Sequence, residues 1–206
     1  MSDLYDEKYD QDEYYWGKRP SKICYQVLKL KPPLEKPLKL LVLACGEGRN
    51  AVFFARNGYE VTAFDISSVG LEKTKRYAEE VGVPLKTFQA DITEFRLEEK
   101  YDILFSTGGL QYIPEKSRDE VFRNYKTHTK KDGLNVFSLF VDKPFIKEPP
   151  DSEKTERRWV SGELFTHYSD WKIEHCSEEI FDCDSSGVPH RHAVNRIVAR
   201  KMNVRI

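Results

Sequence analysis

The chain has 206 residues, 39% of them hydrophobic and 33% charged, enough apolar material for one core and too much for a chain that stays unfolded in water. Lysine plus arginine number 33 against 34 aspartate plus glutamate, a net charge of -1 that lacks the basic excess of a duplex-binding protein, so nucleic acid is not an expected partner. No apolar run approaches the roughly 20 residues of a membrane helix, and the acidic start Met1-Ser2-Asp3 does not read as a secretion signal, so no membrane partner is expected.

Residues 1–15 carry six acids and one base, together with Tyr5, Tyr9, Tyr14 and Tyr15. The charge reads as a mobile arm, and the tyrosines give it a means of docking. Residues 1–20 are therefore set apart as an arm covering a site, and residues 21–206 as a single domain. Ser21 is an expected N-cap for a helix to about Leu30, ended by Pro32-Pro33 and Pro37. Leu38 to Ala44 is an apolar run between proline and glycine, read as a strand buried on both faces. A helix to Arg56 follows, then a strand from Tyr59 to Phe64, a helix from Ser67 to Val81 and a strand from Pro84 to Gln89. Tyr101 to Ser106 is a fourth strand. A helix over 115–127, a turn at Asp132-Gly133 and a fifth strand from Leu134 to Val141 complete the series. Strand and helix alternate, which requires parallel pairing through right-handed crossovers. The charge runs at 72–80 and 115–123 read as solvated helix faces.

The end of the chain differs. Residues 142–160, rich in proline and charge, read as a loop or lid, and Ser161 to Tyr168 as a short helix. Trp171 to Cys183 and His190 to Lys201 are two strands joined by a hairpin turn, Asp184-Ser185-Ser186-Gly187. Cys24, Cys45, Cys176 and Cys183 form neither a CxxC pair nor a dense framework, as expected of a reduced, cytoplasmic protein.

The turn after the first strand, Cys45-Gly46-Glu47-Gly48-Arg49-Asn50, is the most informative segment. Gly46 and Gly48 let backbone approach a ligand, and the next helix presents free N–H groups and the positive end of its dipole. Asp65, at the end of the second strand, is placed to accept both hydroxyls of a ribose. Asp91, at the end of the third, is placed to read an adenine edge while Ile92 packs on its face. Three consecutive strand ends thus supply a glycine loop and two acids on the ligand edge of an open sheet. Gly46, Gly48 and Ala51, with Asp65 roughly 20 residues on, also satisfy the dinucleotide fingerprint in its GxGxxA form. An NAD-dependent oxidoreductase is therefore the alternative, although the chain shows no second nucleotide half.

The stretch Leu41-Val42-Leu43-Ala44-Cys45-Gly46-Glu47-Gly48-Arg49-Asn50 resembles the first motif of class I S-adenosylmethionine-dependent methyltransferases. Gly58 to Ser67 resembles their second motif, and Gln89-Ala90-Asp91 their third. The CGEGRN form is similar to the tellurite-resistance and thiopurine-like group that acts on small molecules. The resemblance runs from about Tyr14 to Lys201. It implies a Rossmann-like α/β fold: a seven-stranded, mostly parallel sheet with helices on both faces and an antiparallel C-terminal hairpin. It also implies S-adenosylmethionine as cofactor and a small-molecule methyl acceptor as partner. The expected cofactor residues are Trp16, Ala44, Cys45, Gly46, Gly48, Asn50, Asp65, Ile66, Asp91, Ile92 and Ser106. Val42 stands where many members carry an acid, and Ala44 where glycine is frequent.

For the acceptor, the fourth-strand exit reads Ser106-Thr107-Gly108-Gly109-Leu110-Gln111-Tyr112-Ile113-Pro114. The Asn-Pro-Pro-Tyr that grips a planar amino group in amide and base methyltransferases is absent. Tyr15, Gln111 and Tyr112 are the expected acceptor contacts. Trp16 can offer its ring face to a sulfonium. His190, near the last turn, is the candidate catalytic residue, as a base or an anion-positioning group. The basic residues that tellurite-acting members place near the final hairpin correspond to Phe181, Asp182 and Pro189, which speaks against tellurite. Cys183, His190 and His192 offer soft and imidazole ligands, but only three, and Cys183 lies across a turn, so no metal site is expected. A non-catalytic S-adenosylmethionine- or metal-binding module is the further alternative. His128, His167 and His175 read as structural, and the sequence carries no signal for an oligomeric state.

Overall fold

Leu40, Leu41, Val42 and Leu43 leave no polar face on their strand, so both sides of it must be covered. In the computed structural model, which describes residues 2–148, 159–184 and 187–202, this strand, β1 (Lys39–Leu43), lies inside a seven-stranded sheet. It pairs in parallel with β2 (Glu60–Asp65) on one side and with β4 (Tyr101–Thr107) on the other. β3 (Lys86–Gln89) extends the sheet beyond β2, and β5 (Thr129–Val141) beyond β4, both in parallel. After β6 (Lys172–Cys183) the chain returns as β7 (His190–Arg200), which inserts antiparallel between β5 and β6 and gives the order β3-β2-β1-β4-β5-β7-β6. The expected fold class and terminal hairpin are thereby observed.

Side chains alternate across β1, so Leu41 and Leu43 join one core and Leu40 and Val42 the other. The first core contains Phe122 and Tyr125 of α5 (Glu115–His128). The second contains Val27 of α2 (Lys22–Leu30) and Phe54 of α3 (Arg49–Arg56). Each fully buried leucine or phenylalanine contributes about 1.5–3 kcal/mol relative to exposure. α4 (Ser68–Glu80) starts from a Ser67 N-cap whose hydroxyl accepts from the Gly70 N–H at 3.0 Å.

Several elements depart from the sequence reading. Residues Ser2–Tyr9 form a helix, α1, docked on α4: Asp6 accepts from the Ser67 hydroxyl at 2.5 Å and from the Val69 N–H at 3.2 Å, so an acid of the arm caps the neighbouring helix. β5 begins at Thr129 rather than Leu134, passing through Asp132 at φ 59°. A 3-10 turn at Leu110–Tyr112 was not expected, and α6 (Glu163–Thr166) is shorter than the predicted helix. Neither charge run is wholly a solvated face. Lys73 is 4% and Arg118 3% exposed, the latter with its guanidinium 4.0 Å from the Trp159 ring centre. Of the predicted loop or lid, residues 149–158 lie outside the described residues, as do Ser185 and Ser186 of the hairpin turn. Among the described residues no helix is long and apolar enough to cross a membrane.

Candidate functional site

The sheet order reverses between β1 and β4, and at such a switch point the loops leaving neighbouring strands diverge and open a crevice. A cavity of about 1260 Å³ lies there, reaching from the glycine loop to the hairpin of β6 and β7. This is above the roughly 300–1,000 Å³ of a site for one drug-sized ligand, room for a nucleoside and a second small molecule.

The floor is the glycine loop. Gly46 has φ +56°, and a Cβ there would lie 3.0 Å from the Tyr9 hydroxyl oxygen and 3.8 Å from Trp16 Cδ1. Its N–H donates to Asp65 Oδ2 at 2.7 Å, while Asp65 Oδ1 accepts from the Ser67 N–H at 2.9 Å. Asp65 is thus both a wall of the cavity and the post to which the loop is tied. Burial pushes its carboxyl above the ordinary carboxylate range, against the opposing pull of the Ser67 and Gly46 N–H groups. Ala44, Cys45, Asn50, Ile66, Asp91 and Ile92 also line the cavity. Burial first, and Asp65 second, raise the Cys45 thiol well above its usual value, which makes it a poor nucleophile at neutral pH. Asn50 is held on three sides: its Oδ1 accepts from the Ser21 N–H at 2.9 Å and the Cys24 thiol at 3.3 Å, and its Nδ2 donates to Thr107 at 3.0 Å. Asp91 Oδ1 accepts from the Thr93 N–H and hydroxyl, both at 2.8 Å.

Three predicted site residues stand apart from the cavity wall. Gly48, at φ +86°, faces α4: a Cβ there would sit 2.6 Å from Thr74 Oγ1, so this glycine permits helix packing rather than ligand approach. Ser106 is fully buried and donates to the Leu43 carbonyl at 2.9 Å, spanning β4 and β1. His190 lies behind His192, and it is His192 that reaches the wall.

The roof is the N-terminal arm, anchored by a buried ion pair that the sequence reading missed. Lys73 Nζ lies 2.6 Å from Glu47 Oε1, with both side chains at most 5% exposed. Lys73 also donates to the carbonyls of Tyr9, Gln11 and Glu13, at 3.1, 2.9 and 2.6 Å. The Glu47 carboxylate accepts from the N–H groups of Tyr15 and Trp16, both at 3.1 Å. Trp16 Nε1 donates to the Tyr9 hydroxyl at 3.2 Å, so the two rings close over Gly46. The hydroxyls of Tyr5 and Tyr112 hydrogen-bond each other and tie the arm to the β4 exit. Tyr15, Trp16, Gln111 and Tyr112 all line the cavity. Gln111 Nε2 donates to the Gly108 carbonyl at 2.7 Å, and its buried Oε1 has no partner.

The far end is built by the hairpin. Phe140 of β5 and Phe181 of β6 flank His192, with ring centres 4.8 and 5.6 Å away. His175 also lines the cavity. His167 stacks on Phe122 at 4.3 Å and His128 bonds the Asn124 carbonyl, both in keeping with structural roles. Two cations of this end are neutralised by pairing: Arg196 with Glu179, and Lys143 with Glu178.

The sequence profile of a family described as tellurite resistance protein TehB matches residues 4–198. The chain is 26% identical over 168 residues to a probable S-adenosyl-L-methionine-dependent methyltransferase TehB of Haemophilus influenzae, covering 80% of this chain and 58% of that protein. It is 24% identical over 145 residues to a ubiquinone biosynthesis O-methyltransferase of Rickettsia canadensis, covering 64% of this chain and 61% of that protein. The crystal structure of TehB from Haemophilus influenzae has the same fold, with a TM-score of 0.77 at 22% identity over 97% of this chain and 66% of that one. The chain thus spans less than two thirds of the length of these relatives.

Proposed function

Because the chain belongs to the family of the tellurite resistance protein TehB, we propose that it transfers a methyl group from S-adenosylmethionine to a small, soft acceptor of the thiol or metalloid type. The observation that carries this reading is the convergence of Gly46, Asp65 and Ile92 on one wall of a cavity at the sheet's switch point, roofed by Tyr9 and Trp16.

The residues present fit the cofactor. Asp65 accepts from the Gly46 and Ser67 N–H groups, with a further backbone contribution from Ile66, and a carboxylate has about four lone-pair sites, so acceptor capacity remains for a ribose hydroxyl. Ile92 offers an apolar face for a base, and Asp91 a polar edge beside it. The Trp16 ring offers a π-face to a sulfonium. When bound, S-adenosylmethionine supplies an electrophilic methyl group; the chain contributes alignment and exclusion of water. The arm, residues 1–20, acts as a cover that closes over the cofactor, with Lys73 and Glu47 as its latch.

The acceptor binds at the hairpin end. Phe140 and Phe181 give that end an aromatic surface, and of its cations Arg196 and Lys143 are paired with Glu179 and Glu178, while Arg191 and Lys147 also line the cavity. The aromatic rings of this end suit a polarisable acceptor. A soft nucleophile needs little general-base help, so His192 positions the acceptor, and His190 positions His192. The test is a screen of thiols, halides, metalloid oxyanions and hydroxylated compounds with methyl-labelled cofactor. Label is expected on a thiol or a reduced metalloid. Label on none, with consumption of a nicotinamide cofactor instead, would overturn the reading.

A further inference from the structure

We propose that Cys183, His190 and His192 form a binding site for a zinc-class transition-metal ion at the hairpin end of the cavity. Cys183 and His190 are directly opposed in the antiparallel register of β6 and β7, and His192 is two residues further along the same face. The separation across a turn that argued against a site in the sequence is therefore what brings the donors together. One ligand atom from each residue lies within 4.8 Å of the others.

The orientation of the rings is that of a ligand set. His190 Nδ1 lies 2.7 Å from the Val188 carbonyl, an acceptor, so the proton of a neutral ring sits on Nδ1 and Nε2 carries the lone pair. Histidine ligands are commonly held this way by a backbone carbonyl. His192 Nε2 therefore donates to His190 Nε2 at 2.8 Å, and an ion takes the place of that proton as the neutral His192 ring passes to its Nδ1–H tautomer. Zn–N bonds of about 2.0–2.1 Å and a Zn–S bond of about 2.3 Å in a tetrahedral site separate ligand atoms by about 3.3–3.6 Å. Admitting the ion thus requires the two nitrogens to part by about half an ångström and the thiolate to close in, both within reach of χ rotations. The Phe140 and Phe181 rings hold the His192 ring in place. One thiolate and two imidazoles select zinc and its neighbours over magnesium or calcium, which take oxygen ligands.

Three protein ligands leave a tetrahedral ion one open position, the arrangement of sites that take a water or an exogenous ligand. Cys183 and His192 line the cavity, so the fourth ligand enters from that side. Binding releases the Cys183 thiol proton to solvent as the S–metal bond forms. The site does not depend on the methyl-transfer reading, and its test uses no cofactor.

The untagged full chain, stripped with chelator, is titrated with Zn²⁺ against a chromophoric competitor, and with Co²⁺ followed by absorption. One ion per chain is expected, together with a thiolate-to-cobalt charge-transfer band. Cys183→Ser removes the band, and His190→Ala and His192→Ala each weaken Zn²⁺ binding by at least 100-fold. Cys176→Ser, at an exposed thiol, leaves both unchanged. Far-ultraviolet circular dichroism checks that each variant is folded. Absence of stoichiometric binding by the wild-type chain overturns the proposal whatever the variants do. So does a charge-transfer band that survives Cys183→Ser or is lost in Cys176→Ser.

Discussion

Substituting Lys73 by methionine tests whether the buried ion pair holds the roof of the cavity. The change keeps most of the side-chain volume and removes the ammonium. It strands the Glu47 carboxylate, 2% exposed, and leaves the carbonyls of Tyr9, Gln11 and Glu13 without that donor. Breaking a buried pair by removing one partner costs about 3–5 kcal/mol. The local escape is for residues 2–16 to lift away, letting water reach Glu47 and the carbonyls. At 1.4 kcal/mol per factor of ten, the closed-to-open ratio of the arm falls by about two to three and a half orders of magnitude, up to the arm's own opening free energy. Hydrogen exchange followed by mass spectrometry reads this directly, with β1 peptides as an internal reference. Amides of residues 5–16 should exchange at least 100-fold faster in Lys73→Met while β1 stays protected. Arm protection within threefold of wild type would show that the tyrosine contacts, not Lys73, hold the roof, and would refute the reasoning.

Asp65→Ala is expected to weaken adenosylhomocysteine binding by one to two orders of magnitude in calorimetry, the equivalent of roughly 1.5–3 kcal/mol for a hydrogen bond to a charged group. Because burial holds the Asp65 carboxyl above its ordinary range and the charged form is the acceptor, wild-type affinity should fall on acidification as that carboxyl takes up its proton. The decline should begin at a higher pH than an exposed aspartate would give. Gly48→Ala should destabilise the fold by about 2–4 kcal/mol in urea unfolding, combining a left-handed backbone penalty with the clash against Thr74. Ala44→Gly should stabilise by about 0.5–1 kcal/mol, because a non-glycine residue sits there at φ 52°; a thermal midpoint raised by about 2–4 °C per kcal/mol is the check.

What was legible in the sequence and what was not follow from the range of the forces involved. That Gly46, Asp65 and Ile92 would line one cavity was legible because each sits at the end of a strand whose apolar run marks it, and parallel topology then brings strand ends together. Gly48 and Ser106 occupy the same loop and strand end, yet their surroundings come from α4 and β1, elements their own segments do not reveal. Lys73 was hidden for the opposite reason. It lies in a helix among Glu72, Lys75 and Arg76, so its local pattern is that of a solvated face. Only docking of an arm about 60 residues earlier buries it. α1 itself is too polar to announce a helix, and its order comes from contacts with Ser67, Val69 and Tyr112. The hairpin was legible as two strands and a turn, but the register that opposes Cys183 to His190 depends on turn geometry that composition alone does not fix.

The account rests on the glycine loop being the seat of an adenosyl cofactor, and the most direct test is calorimetric titration of adenosylhomocysteine into the wild-type chain and into Gly46→Val. A Cβ at Gly46 already comes within 3.0 Å of the Tyr9 hydroxyl, and two further methyl groups fill the space between loop and roof. The account predicts one site per wild-type chain and no measurable binding to a Gly46→Val protein with an unchanged circular dichroism spectrum. Unaltered adenosylhomocysteine affinity in the folded variant, or binding of NAD but not adenosylhomocysteine by the wild-type chain, would contradict it.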